Sequence, residues 1–178
     1  MRYIRRMRWF VLVLLAGYVA WQSVIASGSL EAVTDFRERT PYFDVLLPAG
    51  RVERSEQGII LNQEPVYIDV RLPVRAKSAA LELKVDSSSA PLKLGIQTGE
   101  GFNFEFSGLP AETVGEFTLY RYDALDLTYV RPGHKLRFII SAPGLVTDSV
   151  VVKQATISVK RAPASLSWWQ EQFMRLWN

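Results

Sequence analysis

Between Tyr42 and Arg161 apolar side chains recur at every second residue, and this alternation constrains the fold more than any other feature of the sequence. A period of two is the spacing of a β-strand with one face buried, and a helix does not satisfy it. In PVYIDVRLP, Val66, Ile68, Val70 and Leu72 share one face, while Tyr67, Asp69 and Arg71 share the other. AALELKVD sets Leu81, Leu83 and Val85 against Glu82, Lys84 and Asp86. The same rule turns inward Leu92, Leu94 and Ile96, then Phe102, Phe104 and Phe106, then Leu136, Phe138 and Ile140, and finally Ala155, Ile157 and Val159. Two strands between Arg51 and Leu61 and one from Phe117 to Tyr122 complete the pattern.

The segments between these strands carry turn chemistry: Asp86-Ser-Ser-Ser-Ala-Pro91, Gly99-Glu-Gly101, Arg131-Pro-Gly-His134 and Ala142-Pro-Gly144. Roughly eight to ten short antiparallel strands at this spacing predict a mainly β domain over 42–162, a sandwich or barrel. No helical period interrupts them and no internal repeat is present. The stretch KLRFIISAPGLVTDSVVVKQATISVKR, an apolar strand, a loop and a last alternating strand, resembles the closing strands of jelly-roll carbohydrate-binding modules and galactose-binding-like domains. The resemblance implies an antiparallel β-sandwich, and no binding residue is carried over from it.

The N-terminus reads differently. MRYIRRMR places Arg2, Arg5, Arg6 and Arg8 ahead of a run with no charge from Trp9 to Ser29. Such a basic head keeps the N-terminus cytoplasmic and exports the rest of the chain. At 1.5 Å per residue the run from Trp9 to Ala26 just spans a hydrocarbon core of about 30 Å. Its most apolar part, Trp9 to Ala20, has the length of a signal-peptide core, and Val24-Ile25-Ala26 is an acceptable cleavage site before Ser27. Tyr3, Trp9 and Trp21 bracket the run as interfacial aromatics do and favour an uncleaved single-pass signal-anchor over 1–29. Either reading puts the body outside the cytoplasm. SLEAVTDFRERTP then reads as a juxtamembrane stalk over 30–41, a short helix with Leu30, Val33 and Phe36 or Arg37 on one side and Pro41 at its end.

The chain has 21 basic and 18 acidic residues; without the four head arginines the body carries 17 basic against 18 acidic. A nearly neutral body argues against a nucleic-acid-binding surface, which needs clustered basic residues. Cysteine is absent, which excludes disulfides, thiolate catalysis and Cys-ligated metal. His134 is the single histidine and lies in a turn. No phosphate loop, dinucleotide fingerprint or nucleophile elbow occurs, so neither an enzyme nor a cofactor is predicted. Asp123 and Asp126 lie in a connection where a solvated turn is favoured over a calcium site. Glu100 and Glu105 read as the polar face of the phenylalanine strand.

A glycan surface needs exposed aromatic rings, and no tryptophan lies between 28 and 162. The candidates are Tyr67, beside Asp69 and Arg71, and Tyr120 with Tyr122, if Phe117 and Leu119 face the core. The alternative for these tyrosines is cross-strand packing. At the C-terminus, 163–178, Ser167 and Gln170 form a capping-box pattern. A helix there places Trp169, Phe173, Leu176 and Trp177 on one stripe and Trp168 opposite. Such an amphipathic helix packs on the sandwich, lies on the membrane or docks on a partner; a home for Trp168 favours the latter two. The expected protein is a membrane-anchored extracytoplasmic module that contacts envelope glycan or another envelope protein. The alternative is a structural subunit of a surface assembly.

Overall fold

The alternating runs pair as two stacked antiparallel sheets. The computed structural model describes residues 9–19, 28–38, 40–88, 91–125, 127, 129–143, 145 and 149–162. Its strands are β1 (Ser29–Thr34), β2 (Val52–Ser55), β3 (Gly58–Leu61), β4 (Val66–Arg71), β5 (Ala76–Asp86), β6 (Lys93–Gln97), β7 (Phe104–Phe106), β8 (Glu112–Val114), β9 (Phe117–Ala124), β10 (Lys135–Ser141) and β11 (Val150–Arg161). The larger sheet runs β2-β3-β11-β5-β9-β8, with β1 added beside β11, and the smaller runs β4-β10-β6-β7.

Most predicted inward faces meet between the sheets. Val66, Ile68, Val70, Leu81, Leu83, Leu136, Phe138, Ile140 and Ile157 are fully buried there. Strands β10 and β11, expected to close the domain, do so from opposite sheets: β10 pairs β4 and β6, whereas β11 pairs β1, β3 and β5.

Three expectations are corrected. The first is the helical stalk. Ser29–Thr34 is a strand paired with residues 155–160 of β11. It turns Leu30, Ala32 and Thr34 toward the core and leaves Glu31 and Val33 exposed. A thin apolar stripe that fits a helix poorly fits period two well, and β11 offers it an open edge. The sandwich therefore starts at Ser29, and Phe36 and Phe43, edge to face at 6.0 Å, close the core beyond it.

The second and third corrections are inversions of face. In β9, Tyr122 and Ala124 are buried, and Arg121 and Asp123 are exposed. The register of β9 on β5 sets Tyr122 beside Leu81 and Tyr120 beside Leu83, both core residues. In β7, Phe104 and Phe106 lie opposite Gln97 and Gly95, on the outer face, while Glu105 lies opposite the core residue Ile96. An edge strand keeps the alternation but need not keep the usual polarity of its faces.

At the N-terminus residues 9–19 are helical. At 1.5 Å per residue this is about 16 Å, roughly half of a hydrocarbon core. No helix among the described residues is long and apolar enough to cross a membrane. The rest of the predicted run, 20–26, the basic head and the C-terminal segment with Trp168, Trp169, Phe173, Leu176 and Trp177 lie outside the described residues. The large apolar side chains of the helix, Trp9 to Leu15 and Tyr18, are each half or more exposed.

The topology brings one set of connections to one end of the sandwich. The β4–β5 loop, the β6–β7 loop and the β9–β10 connection all lie there, because Arg71 pairs with Lys135, Gln97 with Phe104 and Ala79 with Ala124. The chain also enters and leaves at this end: the Arg161 N–H donates to Gly28 O at 3.1 Å and the Ala162 N–H to Arg75 O at 2.8 Å.

Phe138→Ala should destabilise the sandwich by about 3–5 kcal/mol, the cost of emptying a fully buried aromatic site, measured by urea titration of tyrosine fluorescence or circular dichroism. Hydrogen exchange should show alternate amides of residues 29–34 protected, as for a strand paired on one side; continuous protection would restore the helix.

Candidate functional site: the outer face of the smaller sheet

Alternation decides what the outer face of the smaller sheet presents. Strand β4 contributes Tyr67, Asp69 and Arg71, and β10 contributes Lys135, Arg137 and Ile139. The register lines up Tyr67, Ile139, Gly95 and Phe106 in one row across the four strands. Gly95 is required in that row. A Cβ there would lie 2.8 Å from Glu105 O and 3.0 Å from both Phe106 Cδ1 and Ile139 Cγ2. The missing side chain is the space that lets Phe106 lie over the sheet. Ile139 is only 7% exposed, although it points away from the core. The Tyr67 and Phe104 rings stack with centroids 5.8 Å apart and an interplanar angle of 24°. The Arg137 guanidinium lies 5.3 Å from the Tyr67 centroid, within cation–π range.

An ionic network borders the rings. Asp69 is 6% exposed and accepts two hydrogen bonds of 2.7 Å from Arg137 Nε and Nη2. Arg131 Nη1 donates to the same carboxylate at 3.1 and 3.3 Å. The hydrogen bond to Asp69 raises the Arg137 pKa above its ordinary value, against the opposing effect of burial. Beside this pair, Asp44 takes Arg71 Nη2 at 2.9 Å and Lys135 Nζ at 2.5 Å. Burial would raise the Asp44 pKa, but hydrogen bonds and charge from Lys135 and Arg71 together leave it lowered from 3.8. Four cations against two carboxylates leave the network positive. A groove of about 400 Å³ runs along it, bounded by Thr40, Phe43, Asp44, Leu47 and Lys135. Residues 42–47 form its far wall, held to β4 by hydrogen bonds between Asp44 N and Asp69 O and between Leu47 and Tyr67.

The sequence-derived tyrosines separate. Tyr67 is half-buried on this face, next to Asp69 and Arg71 as the alternation requires. Tyr120 packs against the core, and its hydroxyl accepts from the Leu92 N–H at 3.4 Å. Tyr122 is 7% exposed, edge to face with Phe138 at 6.2 Å. Burial first, and the Glu105 carboxylate second, raise its pKa above 10.0. Tyr120 and Tyr122 therefore do not form an outer platform; Tyr122 instead lines a cavity of about 350 Å³ at the end of the sandwich with Gln97, Asp123, Leu127 and Leu136. Asp123 accepts from Arg121 Nε at 2.8 Å, and Asp126 lies outside the described residues. Among the described residues no group of three or more His, Asp or Glu is placed to hold a metal ion.

Phe104, Phe106, Arg131, Arg137, Asp44 and Lys135 were not predicted as site residues. The available signal was charge: Asp69 on β4 complements its cross-strand partner Arg137 on β10, whereas Arg71 and Lys135, also opposite each other, are both cations and meet through Asp44.

The fold has counterparts among solved structures. A xylan-binding module, CBM15, is similar over 76% of this chain and 100% of its own, with a TM-score of 0.51 and 16% identity. The chain has a carbohydrate-binding-module-like sandwich fold. A family 29 carbohydrate-binding module from Piromyces equi matches over 74% of this chain and 91% of its own, with a TM-score of 0.43 and 12% identity. No family model matches the sequence. No curated protein matches it.

Replacing Asp69 by Asn leaves two guanidiniums facing a neutral amide. Since Arg137 and Arg131 retain side-chain exposures of 21% and 30%, the expected cost is about 2–3 kcal/mol, below the range for a fully buried pair. Acid should also act here. The folded-state pKa of Asp44 is depressed, so its stabilising charge is fully present above 3.8 and is lost as pH falls through the folded value. Thermal melts of Asp44→Asn should show a shallower loss of stability below that pH than the parent protein.

Proposed function

We propose that the chain is a non-catalytic, membrane-anchored module of the cell envelope that binds anionic glycan on the outer face of its smaller sheet. The observation that carries this reading is the Tyr67–Phe104 stack lying directly beside the Asp69–Arg137 pair. Rings offer an apolar plane to the C–H face of a sugar, and fixed charged groups beside them offer hydrogen bonds to its hydroxyls. The excess of cations favours carboxylate-bearing sugars, and the groove along Asp44 and Lys135 gives a chain a path off the rings. A binding role, not a catalytic one, suits these carboxylates: each is held by two cations, as fixed acceptors are. The similarity to the xylan-binding module supports the sandwich as a glycan scaffold. The anchor is supported by the basic head, the uncharged run to Ser29 and the exposed apolar helix 9–19. On this reading the N-terminus is cytoplasmic and the sandwich lies in the periplasm or outside the cell.

Affinity electrophoresis of the full-length protein in mild detergent tests the site, with gels containing polygalacturonate, alginate or neutral xylan. Retardation by the uronate polymers is expected, weakening with salt. Tyr67→Ala and Phe106→Ala should each weaken it about tenfold, equivalent to about 1.4 kcal/mol. No retardation by any polymer from a folded protein overturns the reading. Crosslinks from this face to other envelope proteins would instead support the structural-subunit alternative.

A further inference from the structure

The most exposed apolar side chains of the sandwich are not scattered. Phe102 is 85% exposed, Leu125 82% and Val74 59%, and among the described residues the other large apolar ones between 28 and 162 reach at most 51%. These three come from three separate connections: Phe102 from the β6–β7 loop, Leu125 from the start of the β9–β10 connection and Val74 from the β4–β5 loop. Far apart in sequence, they converge on one end. Val130, 37% exposed, belongs to the same end. A soluble sandwich has no reason to place its largest uncovered side chains together on loop tips, where polar residues cost nothing.

That end is also where the chain enters and leaves the fold. Gly28, which comes after the uncharged run, and Ala162, which precedes the tryptophan-rich segment, are both hydrogen-bonded there, to Arg161 and Arg75. Lys77 and Lys160 are exposed along the rim of the same end, on the larger sheet, with Arg75 and Arg161 half-buried beside them. Glu100 and Asp123 lie beside Phe102 and Leu125, and the lysines lie along the rim, so the apolar tips themselves are what suits entry into the headgroup layer of a bilayer.

We infer that this end of the sandwich is a membrane-docking surface: Phe102, Leu125 and Val74 insert into the outer leaflet, holding the domain directly on the bilayer. The inference rests on the anchor proposed above, since a tether at residue 28 delivers this end to the membrane first. It goes further in that the body itself makes lipid contact. The outer face of the smaller sheet then stands roughly upright from the bilayer, open to glycan from the side.

The absence of cysteine makes the test direct. Phe102→Cys, Leu125→Cys, Val74→Cys and, from the opposite end, Val114→Cys each carry one thiol in the full-length chain for an environment-sensitive fluorophore. Labelled proteins are reconstituted into phosphatidylcholine vesicles containing phosphatidylglycerol, with and without brominated acyl chains. The expected result is blue-shifted emission, quenched by brominated lipid, at 102, 125 and 74, with solvent-like emission at 114. Solvent-like emission at all four sites in vesicle-bound protein overturns the docking surface and leaves the anchor standing. A blue shift without lipid quenching reports cover by a second copy or another protein and also overturns it. Protein that does not float with the vesicles overturns the anchor and the docking surface together.

Discussion

The pairing of β5 with β11 is the contact on which the rest of the fold depends. These are the longest strands, 11 and 12 residues, and they pair from Val85 and Val152 at one end to Ala76 and Arg161 at the other. The larger sheet grows outward from them: β9 joins β5, and β3 and β1 lie in succession along the free edge of β11. The handover from β3 to β1 coincides with a register shift between Val152 and Gln154. Gly58 sits at this point with φ +137, and a Cβ there would lie 2.5 Å from Val152 O. Only glycine meets both demands, the backbone angle and the close approach. One irregularity in one strand thus allows two strands to share an edge, which brings residue 28 next to residue 161.

The central strands were legible because burial on one face imposes strict alternation, and β4, β5, β6 and β10 obey it, as does β11 on each side of its register shift. What failed lay at an edge, as in β7 and β1, or next to one, as in β9. In β7, three residues of Phe-Glu-Phe were read by hydrophobicity alone, which puts the rings inside. The decisive information was the partner residue Gly95, whose missing side chain makes room for Phe106 on the outside. In β9 each face carries a pair of apolar or aromatic residues, Phe117 and Leu119 on one and Tyr120 and Tyr122 on the other, so alternation does not say which face is buried; the register on Leu81 and Leu83 does. For residues 29–34 the apolar signal was too sparse to separate a helix from an edge strand, and the outcome was decided by an available partner in β11. Of the three candidate tyrosines, only Tyr67 lies on the outer face, because its strand is flanked by a core face that leaves no ambiguity.

The buried carboxylate of Asp69 explains why the aromatic patch is ordered. A surface arginine ordinarily samples many rotamers, and fixing it costs entropy. Here Arg137 is held by two hydrogen bonds of 2.7 Å to Asp69, and Arg131 holds the other side of the same carboxylate. The guanidinium is thereby parked against the Tyr67 ring, which in turn stacks on Phe104. A ligand meeting this face finds rings and donors already in position, so binding does not have to order them.

Topology alone sets one end of the sandwich apart from its sheet face. Antiparallel strands of a two-sheet fold send successive loops to alternate ends, so a given end collects loops from distant parts of the sequence. The end that receives Gly28 and Ala162 also receives the tips bearing Val74, Phe102 and Leu125, and none of these positions is a neighbour of another in the chain. The aromatic face is built from strand interiors and is independent of those tips. A change in loop apolarity would therefore alter that end without altering what the sheet presents, and the converse holds for Tyr67 or Phe106. The loop tips and the sheet face thus vary independently within one small domain that has no disulfide.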